Sequence, residues 1–132
     1  MGKNMAYYFQ KILPIAFEEA ITRTMNALKQ EGFGVLTEID VQETLKKKLG
    51  VDFPSYRILG ACNPQLAYEA LKLESHVGTM LPCNVIVRDV GNARTEVAAI
   101  DPVASMQAID NPALKRAAEQ VRAKLDRVIA AL

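Results

Sequence analysis

Two short stretches carry residues that could do chemistry. Each sets a cysteine directly before an asparagine, Cys62-Asn63 and Cys83-Asn84, and the chain's one histidine, His76, falls between them. Asn63-Pro64 reads as the cap and first residue of a helix. Cys62 then lies one residue before a helix N-terminus, where partial positive charge favours a thiolate. Two thiols so placed could form a redox pair, or, with His76 as third ligand, part of a soft-metal site built on Cys62, His76 and Cys83. The plainer reading makes both cysteines small buried side chains, since each sits among branched aliphatics and free cysteine is among the most buried residue types. A histidine just past a helix end commonly caps carbonyls or meets the dipole. Asn84 has no such simple role, because an amide at the start of a buried strand needs a partner, whether backbone or ligand. Asp101, before Pro102, organises a turn. Cys62, Asn63, Cys83, Asn84 and Asp101 are therefore the candidate ligand-binding positions. No glycine-rich phosphate loop, paired-carboxylate motif or histidine-pair motif occurs, so no catalytic residue and no cofactor is assigned.

The elements that position these residues follow from periodicity and punctuation. Residues 6–13 are rich in aromatic and branched side chains and predict a first strand. Pro14 fits the first position of a helix whose stripe is Phe17, Ile21, Met25 and Leu28 and which ends at Gly32. Residues 33–39 read as a second strand. Asp40 caps a short helix, with Glu43 three residues on, Lys46 to Lys48 at the negative end of its dipole, and Gly50 as terminator. Its buried side is expected to be Val41, Leu45 and Leu49. The central strand begins at Ser55 or Tyr56, and along Tyr56 to Cys62 alternation sorts Tyr56, Ile58, Gly60 and Cys62 from Arg57, Leu59 and Ala61. A helix over 64–75 follows, with Leu66, Ala70 and Leu73 as its buried stripe.

After Pro82 a strand carries Cys83, Val85 and Val87 on one face and Asn84, Ile86 and Arg88 on the other. Val90-Gly91-Asn92-Ala93 supplies a turn, and 94–100 is its partner strand. Asn111-Pro112 opens a last amphipathic helix on which Leu114, Ala118, Val121, Leu125, Val128 and Leu132 recur at steps of four and three. If the helix after Cys62 made a crossover between parallel strands, Cys62 and Cys83 would lie roughly 20 Å apart at opposite sheet ends. If the strands are antiparallel, both sit at one edge.

These elements make an α+β domain: about five largely antiparallel strands with three longer helices on one face, in two layers. The chain's 132 residues, half of them hydrophobic, suit a single domain over 1–132. The other sheet face still carries apolar groups, Leu59 and Ile86 being assigned to it, and is expected to meet a second copy or a ligand. Sixteen basic against fifteen acidic residues leave a net charge of +1, which offers no field for phosphate backbones or anionic lipid. Nucleic acid and membrane are not expected partners. Without a signal-like start or a long apolar run, the chain reads as cytoplasmic, where its two cysteines would be thiols.

The segments Tyr56-Arg57-Ile58-Leu59-Gly60-Ala61-Cys62-Asn63-Pro64, Leu81-Pro82-Cys83-Asn84-Val85-Ile86-Val87 and Ala99-Ile100-Asp101-Pro102, in this order and spacing, resemble the bacterial and archaeal family called domain of unknown function 302. The likeness spans nearly the whole chain. It implies a compact α+β fold of the kind grouped with TATA-box-binding-protein-like folds, often dimeric, and it implies no activity. Three functional readings follow. The first is a small-molecule-binding or regulatory homodimer that is not an enzyme, using the strand ends near Asn63, Asn84 and Asp101. The second is a thiol-dependent redox or soft-metal protein using Cys62 and Cys83. The third is a structural interaction module whose open sheet face meets a partner.

Overall fold

Every strand of the sheet runs antiparallel to its neighbours, in the order β1-β5-β4-β3-β2. The structure is a computed structural model and describes residues 6–132. The strands are β1 (Tyr8–Leu13), β2 (Gly34–Asp40), β3 (Tyr56–Cys62), β4 (Cys83–Gly91) and β5 (Arg94–Ile100). The helices are α1 (Phe17–Gln30), α2 (Val41–Leu49), α3 (Pro64–Leu73), α4 (Pro102–Ser105) and α5 (Pro112–Ala130), with a 3-10 turn at Val77–Met80. The fold is therefore the expected α+β arrangement of a five-stranded antiparallel sheet with its longer helices on one face. Among the described residues, no helix is long and apolar enough to cross a membrane.

Register explains which residues meet the helices. Ala61 stands opposite Cys83, Leu59 opposite Val85, Val87 opposite Val97, and Phe9 opposite Ala99. Those side chains leave the sheet on the helix side, where Ile21 and Leu28 of α1 and Leu125 and Val128 of α5 close over them. Each such aliphatic contributes roughly 1.5–3 kcal/mol by leaving water. The assignment of Leu59 to the outer face is thereby corrected, since it is wholly buried in this core. Alternation within a strand separates two faces but does not say which face of one strand matches which of the next. Pairing settles that, and it is Ile58 that stands opposite Ile86.

A second, smaller cluster gathers Ala70 of α3, Val77, Met106, and Leu114 and Ala118 of α5. It lies toward the end of the sheet where β3 finishes and β4 begins. At the opposite corner Arg57 holds α1 and β2 to β3: its guanidinium is 3.1 Å from Glu38, 3.5 Å from Glu18 and 3.6 Å from Asp40. The same group lies 5.4 Å from the centre of the Phe17 ring.

The caps behave as their residue types require. Asp40, Asn63, Asp101 and Asn111 each accept a backbone N–H from the first turn of α2, α3, α4 and α5 respectively. Three expectations are corrected. Pro14 precedes α1 rather than opening it, because extended Ala16 is the N-cap. The side of α2 expected to be buried is not, and Leu49 is 68% exposed, since that short helix bridges β2 and β3 outside the core. On α3 only Ala70 is buried, while Leu71 and Leu73 are 45% and 39% exposed. The outer sheet face is only partly covered: Ala98 and Glu96 on it are buried, Ile58 and Ile86 half-buried, and Ile39 48% exposed. The row Ile39, Ile58, Ile86 and Ala98 crosses four strands on it, and Arg88 pairs there with Glu96.

Candidate functional site

The incomplete burial of α3 has a structural cause: a hollow lies under it. Between α3, α5 and the ends of β3 and β4 is a cavity of about 320 Å³, open on one side. Phe33, Ala61 and Cys83, from the larger core cluster, form part of its wall, and Ala70, Met106 and Leu114, from the smaller one, form more. The cavity thus occupies the junction between the two cores. Alanines facing each other create the space. Ala67 and Ala70 on α3 and Ala117 and Ala118 on α5 stand where larger side chains would close the gap.

Cys62, Asn63 and Cys83 all contribute to this wall. The antiparallel pairing of β3 with β4 brings the cysteines to one end of the sheet, the nearer of the two expected arrangements. With Ala61 opposite Cys83, Cys62 stands one residue beyond that pair, at the end of β3, and both cysteines border the cavity. Both are free thiols. Cys83 is 7% exposed, and burial, reinforced by the neighbouring Cys62, pushes its thiol from the ordinary 9.0 up to about 11. Cys83 is therefore protonated at neutral pH and behaves as a small apolar group. Asn63 spends its oxygen on the Leu66 N–H at 3.3 Å, while its amide nitrogen lies 3.5 Å from the Glu31 carbonyl.

The other candidates lie elsewhere. Asn84 is exposed on the outer face, beside a shallow hollow of about 310 Å³ shared with Tyr7, Tyr8, Tyr56, Arg88 and Glu96. Its amide therefore meets solvent, and the need for a buried partner does not arise, because the buried residues of β4 are Cys83, Val85 and Val87. Asp101 is buried at the start of α4. One of its carboxylate oxygens accepts the Val103 N–H at 3.0 Å, and the other lies 3.4 Å from Arg122 Nε. It borders a groove between α4 and α5, outside the cavity. His76 sits beyond α3 with its side chain 88% exposed, 3.4 Å from Glu74, and it makes no side-chain cap. The alternative metal set of Cys62, His76 and Cys83 is therefore not assembled. Among the described residues, no group of three or more His, Cys, Asp or Glu is placed to hold a metal ion.

What sequence reasoning missed are the alanines and Met106, since small and flexible apolar residues on helices look like ordinary core. One glycine does mark a close approach. A Cβ on Gly60 would sit 2.2 Å from Thr37 Oγ1 and 2.8 Å from Pro82 Cγ. The strand ends beside the cavity are thus packed without slack on their outer face.

Comparison with known proteins agrees with this fold. No curated protein matches the chain. A crystal structure of the uncharacterized conserved protein DUF302 from Bacillus stearothermophilus is similar to it, with a TM-score of 0.86 and 34% sequence identity. The similarity covers 94% of this chain and 96% of that one. The family described as Domain of unknown function DUF302 matches residues 9–132, so that the central strands, the cavity and the helices around it all fall within the match, and the chain belongs to that family.

Proposed function

We propose that the protein binds a small molecule in the cavity between α3, α5 and the ends of β3 and β4, and that it does so as a homodimer without performing chemistry on the ligand. The observation that carries the binding reading is the cavity itself: about 320 Å³ of space at the junction of two core clusters. Cores pack to crystal-like density, and leaving this much apolar wall uncovered forgoes stability that larger side chains would recover. A site that a ligand completes accounts for that loss. Cys83, held protonated by its burial, supports binding over the thiol-redox alternative.

The homodimer rests on a separate observation, the outer sheet face. Its isoleucine row crosses β2, β3 and β4, with Ile39 48% exposed, and the charges of Arg88 and Glu96 on it pair with each other. A two-fold axis through such a face buries the same row from both copies. Sedimentation of the protein tests it: a dimer is expected, and Ile58→Asp should split it. A wild-type chain that remains monomeric at high micromolar concentration rules this half out.

Thermal denaturation against a panel of chemically diverse small molecules, charged and neutral, tests the binding half. At a hundredfold excess over Kd a true ligand adds about 2.7 kcal/mol. At least one panel member should stabilise saturably, and Ala118→Phe, which fills the cavity, should abolish the effect. A panel without any stabiliser, or one whose stabilisers ignore Ala118→Phe, defeats the reading.

A further inference from the structure

We infer that the cavity takes an uncharged, largely hydrocarbon molecule of about a dozen heavy atoms, scaling from an apolar cavity of about 150 Å³ that holds benzene. This rests on the small-molecule reading above and names the class of ligand. Size follows from the volume of about 320 Å³. Chemistry follows from the wall. Among the described residues, not one Asp, Glu, Lys, Arg or His lines the cavity. Asn63, the one side-chain amide lining it among the described residues, already uses its oxygen on the Leu66 N–H and directs its nitrogen toward the Glu31 carbonyl. Cys83 is neutral, so the sulfur on the wall is a soft, weakly polar surface. A charge carried inward would lose its water and find no partner.

The mouth points the same way. Leu36, the extra residue of a bulge in β2, and Leu71 on α3 both border the cavity while standing 67% and 45% exposed. A hydrocarbon seated against Ala70 and Ala118 would extend outward onto these two leucines and remove them from water. Its binding would also join the two core clusters that the cavity separates.

Biphenyl, with two rings and twelve heavy atoms, is the probe, compared with the diacid that carries a carboxylate at both para ends. In the diacid, one charge must enter the cavity whichever way the molecule lies. The chain has no tryptophan, so probe fluorescence is read against tyrosine alone. Biphenyl should bind saturably, and the diacid at least about a hundredfold more weakly. Ala118→Phe and, independently, Ala70→Leu should each weaken biphenyl at least about tenfold with the circular dichroism unchanged. Two variants on opposite walls keep the test open if one fails to fold.

A diacid that binds within about tenfold of biphenyl overturns the inference. So does biphenyl binding that neither variant affects. If biphenyl fails while another member of the panel binds and is excluded by Ala118→Phe, the ligand class is wrong and the site stands. If neither biphenyl nor any panel member binds, the site reading falls and the inference falls with it.

Discussion

The state of Cys83 separates an apolar binding wall from a thiol centre, and it can be measured in two independent ways. Its thiol is pushed from 9.0 up to about 11, first by burial and then by Cys62 nearby. That is a hundredfold change in the ionisation constant, so near neutral pH Cys83 should alkylate with iodoacetamide at least ~100 times more slowly than a free thiol, before any steric protection is counted. The second measure is stability against pH. A thiol whose folded pKa is raised keeps its proton longer in the folded chain than in the unfolded one. The unfolded chain then binds fewer protons above pH 9, and stability falls as pH rises. The contribution is whole below pH 9 and is lost progressively toward and through pH 11. At about 1.36 kcal/mol per tenfold, the full loss is about 2–3 kcal/mol. Lysines and tyrosines also titrate in this range, so the quantity to follow is the difference between wild type and Cys83→Val. Urea denaturation of both proteins at several pH values from 7 to 11 gives that difference. It should be flat up to about pH 8.5 and then move against the wild type. Alkylation of Cys83 at the free-thiol rate, or a difference that stays flat through pH 11, refutes the protonated-wall reading and revives the redox one.

Three further substitutions test how the fold is built around the site. Gly60→Ala should destabilise by about 1–3 kcal/mol in urea denaturation, because its Cβ would meet Thr37 and Pro82 at 2.2 and 2.8 Å, and Thr37→Ala in the same chain should restore part of the loss. An unchanged midpoint for Gly60→Ala would mean that those contacts yield freely. Ala93→Gly should stabilise: Ala93 and Asn92 form the β4–β5 turn with φ of 59° and 57°, a left-handed conformation that costs alanine roughly 1–2 kcal/mol. A net gain of about 0.5–1 kcal/mol is expected after glycine's larger unfolded-state entropy, and a loss of stability contradicts it. Thr24 is wholly buried on α1, and its hydroxyl has no hydrogen-bond partner among the described residues. Thr24→Val keeps the shape and removes the unpaired oxygen, and should raise stability by about 1 kcal/mol, read from the thermal midpoint.

Much of the scaffold was legible because its signals are local. Asn63-Pro64 and Asn111-Pro112 mark helix starts through side-chain chemistry that needs no tertiary context, and both asparagines cap as expected. The central strand begins at Tyr56, the second of the two expected starts, and ends at Cys62, before the cap that follows. The site was only half legible. Cys62, Asn63 and Cys83 share one wall, but Asn84 and Asp101 were grouped with them by closeness to strand ends, and a strand end has two faces and more than one neighbour. Adjacent residues on β4 diverge, so Cys83 lines the cavity while Asn84 faces the opposite hollow. Leu59 falls on the other face for the related reason that phase between strands depends on register, and it is the β3–β4 register that sets Ile58, not Leu59, opposite Ile86. The cavity itself leaves no mark in the chain's hydrophobic pattern. Leu66, Ala70 and Leu73 repeat as a core stripe would, and only packing reveals that α3 stands partly off the core.

That separation makes α3 the element most sensitive to what fills the cavity. Ala70 is its one buried residue, and its two ends are tied by hydrogen bonds, Asn63 to Leu66 N–H at the start and Asn111 Nδ2 to the Leu73 carbonyl at 3.1 Å. By contrast α1 and α5 each bury four or more residues against the sheet or α3. Local opening free energy rises with buried apolar contact, so amides of α3 should exchange with deuterium well before those of α1 and α5. A ligand in the cavity supplies the missing contact to one side of α3 alone. At a hundredfold excess over Kd it should slow exchange in α3 by up to about a hundredfold if opening requires release, with little change in β1, an edge strand, or in α2, which lies outside the core. Exchange in α3 as slow as in α5 without ligand would mean that this helix does not depend on the cavity. Equal slowing across all elements would place the coupling in global stability, and α3 would then be a fixed wall of the site.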